Sequence, residues 1–152
     1  MWFRLGAIVG AAVLTVLGVL AASAADSTVP GVIRITSEEV GRKHVDLGRP
    51  GRSAGDVDSI RYLLFNRRIT DKPIGHAEVL CTSTGYRSRT CMATYLLPRG
   101  RLVVSSVIAS LLRAKLAVLG GTGIYDNARG NLTVTALATS PRATRLVFRL
   151  VA

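Results

Sequence analysis

The sequence predicts an all-β domain, either a sandwich or a barrel, and three observations predict it. About eight short runs rich in β-branched and aromatic residues recur at regular spacing, separated by turns that contain Gly or Pro. In the last run, Leu146, Phe148 and Leu150 share one parity while Arg145 and Arg149 share the other, so one side is dry and one wet. Cys81 and Cys91 lie about equally far from the turn Ser83-Thr84-Gly85-Tyr86, where a hairpin sets them opposite each other.

In chain order, Met1 to Arg4 carries one positive charge, Leu5 to Leu20 carries none, and Ala22-Ser23-Ala24 supplies small residues. This is the pattern of a secretory signal cleaved after Ala24 or Ala25. An uncleaved anchor is the competing reading, because the apolar run approaches the ~20 residues that span a bilayer. The expected layout is a signal peptide over 1–24, an N-terminal arm over 25–31 and one β domain over 32–152.

Val32 to Thr36 reads as the first strand, by alternation and β-branched content. Thr36 to Asp58, with Pro50 and four glycines, reads as a long loop. Ser59 to Phe65 is the second strand, and Asn66 to Pro73 a charged connection. Ile74 to Ser83 and Thr90 to Leu97 form the hairpin that carries the cysteines. An even cysteine count in an exported chain implies a Cys81–Cys91 disulfide, which closes a short loop and stabilises by roughly 3 kcal/mol. Because the two cysteines share a face, Ala77, Val79, Cys81, Cys91, Ala93, Tyr95 and Leu97 point one way, and His76, Glu78 and Leu80 the other.

Pro98-Arg99-Gly100 is a tight turn, followed by a strand from Arg101 to Val107. Ile108 to Lys115 is open between helix, strand and loop. Leu116 to Leu119 and Leu132 to Leu137 are strands on either side of Gly120-Gly121-Thr122-Gly123-Ile124-Tyr125, with Ala128-Arg129-Gly130 behind. A phosphate loop would need Lys followed by Ser or Thr and then a helix; here Ile124 and Tyr125 follow, and Gly130 interrupts. The stretch therefore reads as a structural corner built on Gly120, Gly121, Gly123 and Gly130, with Arg129 pinning it.

The net charge is +11, from 20 Lys and Arg against 9 Asp and Glu. The arginines are scattered singly, apart from Arg67-Arg68 near Lys72, and aromatics are only 5% of the chain. Nucleic acid is therefore not an expected partner, and the membrane is expected only through the signal segment. Two cysteines and two distant histidines make no metal site. No Gly-x-Ser-x-Gly elbow presents a nucleophile.

With the strands laid out, the order of motifs resembles the superfamily of allene oxide cyclases and dirigent proteins. The likeness runs from Gly55-Asp56-Val57 through Ile74-Gly75-His76-Ala77, Leu80-Cys81 and Leu97-Pro98-Arg99-Gly100. Its most specific part is Val118 to Tyr125 with Ala128-Arg129-Gly130, which is similar to the dirigent Gly-Gly-Thr-Gly-aromatic and Ala-Arg-Gly signature. The resemblance implies an eight-stranded antiparallel barrel, commonly trimeric, with a hydrophobic cavity and no cofactor. It also implies one of two positioning activities: cyclisation of a fatty-acid epoxide, or stereoselective coupling of phenoxy radicals. The family's polar groups are replaced, by Arg34, Thr36 and Tyr62 at the cyclase positions and by Asn66, Arg67 and His76 at the dirigent ones. The barrel transfers, and neither activity does.

If the disulfide face points inward, the cavity is lined by Ile60, Tyr62, Leu64, Val79, Cys81, Cys91, Tyr95, Leu146 and Phe148. Of these, Ile60, Tyr62, Val79, Tyr95 and Phe148 are the expected ligand contacts. His76 and Glu78 face outward and read as surface or interface groups. Leu63 and Phe65 fall on the outer parity of their strand, which fits a homo-oligomer, a trimer or dimer. The first functional reading is a secreted barrel that binds a small apolar or aromatic molecule and steers its coupling or cyclisation. The second is an oligomeric interaction module with a filled barrel. The third is a cofactor-independent isomerase or cyclase with rearranged catalytic groups, none of which the sequence identifies.

Overall fold

The computed structural model describes residues 29–67, 72–85, 87–138 and 140–151. The signal segment at 1–24, Arg68 and Tyr86 lie outside the described residues. Eight strands follow one another without a helix among the described residues: β1 Val32–Val45, β2 Val57–Phe65, β3 Gly75–Ser83, β4 Arg89–Leu97, β5 Gly100–Ile108, β6 Arg113–Gly123, β7 Arg129–Leu137 and β8 Ser140–Val151. Each pairs antiparallel with its neighbours in sequence, and β8 returns to β1, so the sheet is a closed barrel. Closure removes both sheet edges, which is how an all-antiparallel meander of this size avoids pairing with other chains.

Alternation decides what lies inside. Ala77, Val79 and Cys81 of β3 and Cys91, Ala93 and Tyr95 of β4 are buried, while His76, Leu80 and Met92 are exposed. Cys81 and Cys91 stand opposite each other in the ladder and form the disulfide. Leu146, Phe148 and Leu150 of β8 face the same core, and Arg145 and Arg149 face water.

Three local features differ from the sequence reading. The expected loop from Thr36 to Asp58 is strand as far as Val45, and only 46–56 is loop. β1 leaves β8 after the Glu38–Ala143 pair but stays with β2 to the Val45–Val57 pair, past a register shift at Glu39/Gly41. From Val40 to Val45 every residue is exposed, so no alternation marked this stretch as strand. Its ladder and the cross-strand His44–Asp58 pair at 2.9 Å hold it instead.

The second difference is the glycine corner. Gly120, Gly121 and Gly123 lie within β6, and the turn itself is 124–127. A Cβ on Gly121 would come within 2.5 Å of the Arg101 and Tyr125 carbonyl oxygens, so glycine here lets β5 and the turn close onto β6. The Arg129 guanidinium lies over Gly120 and donates from Nη1 to the Ala128 carbonyl at 3.0 Å.

The third is Phe65. It has outer parity but is only 3% exposed within the single chain. Here the chain turns across β1: the Thr36 amide donates to the Asn66 carbonyl at 3.3 Å, and Thr36 Oγ1 donates to the Arg67 carbonyl at 3.0 Å.

The connections after β1, β3, β5 and β7 gather at one end of the barrel, the mouth. The far end holds the start of β1 and the end of β8, joined by the Leu150 amide donating to the Gly31 carbonyl at 2.9 Å. Buried Tyr125 and Ala128, from the β6–β7 connection, close that end.

Candidate functional site

Most of the interior is filled. Ile60, Leu64, Leu102, Leu132 and Phe148 are wholly buried. Toward the mouth a space of about 30 Å³ remains, lined by Ser37, Tyr62, Val79, Cys91, Ala93, Tyr95, Leu111, Ala114, Leu116, Val134, Thr144 and Leu146. Of the five expected ligand contacts, Tyr62, Val79 and Tyr95 border this space, and Ile60 and Phe148 lie in the packed core. Phe148 supports the site from behind, meeting Tyr95 edge to face with ring centroids 5.1 Å apart and planes at 85°.

The polar groups at this space are hydroxyls. Ser37 and Thr144, paired across β1 and β8, share a buried hydrogen bond of 2.6 Å. Neither the Tyr62 nor the Tyr95 phenol is hydrogen-bonded to a described residue. Tyr62 stands opposite Glu39, whose carboxylate is held by Arg42 at 2.7 and 2.9 Å. Burial pushes the Tyr62 phenol up to about 12; Glu39 adds to the shift and Arg42 opposes it. Burial, with a smaller contribution from Tyr62, pushes Tyr95 up as well. Both tyrosines are therefore neutral donors across the physiological range.

An alkaline prediction follows. In the unfolded chain a tyrosine ionises near pH ~10, whereas the folded values lie higher, so the stabilisation is complete below that pH and is lost as pH rises through the folded values. Between about pH 9 and about pH 12 the unfolding free energy should fall on the order of 2 kcal/mol for Tyr62, and Tyr95→Phe should flatten part of the slope. Urea unfolding at a series of pH values measures this; an equal alkaline slope in wild type and Tyr95→Phe would refute it.

A second cleft, of about 490 Å³, lies outside the barrel at the mouth and includes Arg42, His44, Asp56, Asp58 and Arg89. Asp58 bridges His44 Nδ1 and Arg89 Nη1, each at 2.9 Å. Sequence reasoning missed this cluster because His44 was placed in a loop. It also missed Ser37 and Thr144, although extending the parities of Ile33–Ile35 and of Leu146–Phe148 by one step would have found them. Leu111, on a turn, carries no such signal.

No protein-family model and no curated protein matches the chain. Among solved structures, a pyocyanin demethylase superposes with a TM-score of 0.69 at 26% identity, over 79% of this chain and 99% of that one. A pterocarpan synthase dirigent protein superposes with a TM-score of 0.60 at 17% identity, over 78% and 84%. The chain has the dirigent-like fold, a closed eight-stranded antiparallel β-barrel. The same barrel underlies the Diels–Alderase AbmU from Streptomyces koyangensis, with a TM-score of 0.63 at 14% identity over 79% of this chain. This dirigent-like barrel spans 64% of that enzyme's length.

Proposed function

We propose that this dirigent-like barrel is an exported protein that holds a small apolar or aromatic molecule at its Tyr62–Tyr95 mouth and steers that molecule's coupling or cyclisation by position alone. The observation that carries the reading is that Tyr62 and Tyr95, whose phenols make no hydrogen bond to a described residue, line one space beside the Ser37–Thr144 hydroxyls. A neutral phenol donates, so the group it holds is an acceptor oxygen or nitrogen on an otherwise apolar body. Fixing such a body in one orientation converts a loose reaction into a directed one. The pyocyanin demethylase, the Diels–Alderase and the dirigent neighbours support a small-molecule partner. The disulfide and the signal-like N-terminus support export.

A space of about 30 Å³ takes a water or two, against roughly 300 Å³ for the smallest ligand pockets. A ligand therefore enters by displacing Leu111 and the short turn that carries it. Absorbance titration with pyocyanin, and fluorescence titration with anilinonaphthalene sulfonate, test the reading. Saturable binding is expected for at least one probe, weakened about tenfold in Tyr62→Phe/Tyr95→Phe and tightened in Leu111→Ala.

The second reading, a filled-barrel interaction module, is favoured by the size of that space and by the outer face of β3–β5. There Leu80, Met92 and Val107 are 53%, 52% and 64% exposed on adjoining strands, a surface suited to meeting a second copy. A folded oligomer that binds neither probe would decide for this reading and against the first.

A further inference from the structure

The opposite side of the barrel is charged in one sign only. Along β6, β7, β8 and the Val32–Ser37 half of β1 there is no Asp or Glu, while one cation lies on β1, two on β6, one on β7 and three on β8. The register arranges five of them as a two-dimensional array on the outer face. Arg113 and Arg145 flank Thr135 in one row, Lys115 and Arg34 flank Thr133 and Val147 in the next, and Arg149 stands beside Asn131 in the third. Rows and columns are spaced by the sheet itself, about 5 by 7 Å. All five are exposed, and none forms an ion pair with a described residue. Among the described residues, the carboxylates bordering the array are Glu38, two residues past Thr36 on β1, and Asp126 in the β6–β7 turn.

The acids that do find cations lie elsewhere. Glu39, Asp58 and Glu78 pair with Arg42, Arg89 and Arg61 on β1, β2, β3 and β4. The one-signed face is thus a consequence of how the sheet separates the charges, and like charges left together repel unless an anion joins them. At its edge Arg34, Arg67 and Arg145 surround a groove of about 450 Å³ that Ile35, Thr36 and Val147 also line. Arginine binds phosphate oxygens in a bidentate fork.

We propose that this face docks on an anionic phospholipid surface, with a headgroup phosphate seated among Arg34, Arg67 and Arg145. Arg34, Arg145 and Arg149 lie on the adjoining strands β1 and β8, so a plane of headgroups can meet all three at once. A single-stranded nucleic acid would ask for a track of cations with aromatic rings for its bases, and the outward positions of these four strand segments hold no aromatic residue. The inference is independent of what the Tyr62–Tyr95 mouth binds.

The chain from Val29 onward is suited to the test, because all eight strand pairings and the whole core lie within it. Co-sedimentation compares vesicles of phosphatidylcholine alone with vesicles containing about a third phosphatidylglycerol, at about 0.1 M and about 0.5 M salt. The expected result is a preference for the anionic vesicles that fades at the higher salt. Each cation near such a surface contributes about 1 kcal/mol, so Arg34→Gln/Arg145→Gln/Arg149→Gln should lower the partition about a hundredfold. Arg52→Gln/Arg99→Gln/Arg101→Gln removes the same charge from outside the face and should lower it less than about fivefold. Three outcomes overturn the proposal: no preference for anionic vesicles at the lower salt, an equal loss in both triple variants, or retention on duplex DNA that depends on the three face arginines while vesicle binding does not. Thermal unfolding of both variants checks that each remains folded.

Discussion

Gly130→Val should leave little folded barrel at 25 °C, and Gly130→Ala should lower the thermal midpoint by about 10 °C or more. Gly130, the second residue of β7, has φ +129°, a region that side chains resist. A Cβ there would collide with the Arg149 carbonyl oxygen, which belongs to the backbone of β8 and cannot rotate away. Strain and collision add at one residue, so the cost is about 4 kcal/mol, at the upper end for a single substitution. Gly31→Ala is the control: nothing lies within 4 Å of a Cβ at that position, and its midpoint should stay within about 2 °C. Circular dichroism melts decide the matter. A Gly130→Ala midpoint as high as that of Gly31→Ala would show that β7 and β8 can separate to admit a methyl group.

Phe148→Ala should cost about 3–5 kcal/mol, because it removes a ring that no solvent reaches and leaves a cavity behind. The ring stands between Ile33 and Leu132 in the ladder and meets Tyr95 edge-on, so its loss also frees Tyr95 to leave the mouth. Phe148→Leu keeps most of the volume and should cost less than half as much. In urea the midpoint should fall with the slope unchanged, since the same surface is still exposed on unfolding. If Phe148→Ala and Phe148→Leu unfold at the same denaturant concentration, the ring is not packed as described.

What the sequence revealed and what it hid follow from one rule. Alternation records which side of a strand is dry, so it marked Ala77 to Cys81, Cys91 to Tyr95 and Leu146 to Leu150 correctly. It is blind where both sides are wet, so the end of β1 read as loop; Glu39, Arg42 and His44 gave no period to detect. It is also blind to what covers an outer face, so Phe65 read as exposed when the chain itself buries it. The glycines of β6 were recognised as a place of close approach, but a glycine serves a strand pressed by its neighbour as well as it serves a turn, and spacing does not separate the two. The mouth was legible in Tyr62, Val79 and Tyr95. Its size was not, because free volume depends on strand tilt and on Leu111, which arrives from a turn.

The first and last strands leave the barrel side by side at its far end, joined through Gly31, Leu150 and the β1–β8 ladder. A load applied between the two ends of the chain would therefore act on that ladder like a zip. The Val32–Arg149 rung would open before Ile33–Phe148, and each rung would fail alone. The cylinder is thus weak to traction in one direction. Anything that grips both ends would open it along the β1–β8 seam, leaving β2 to β7 paired until last.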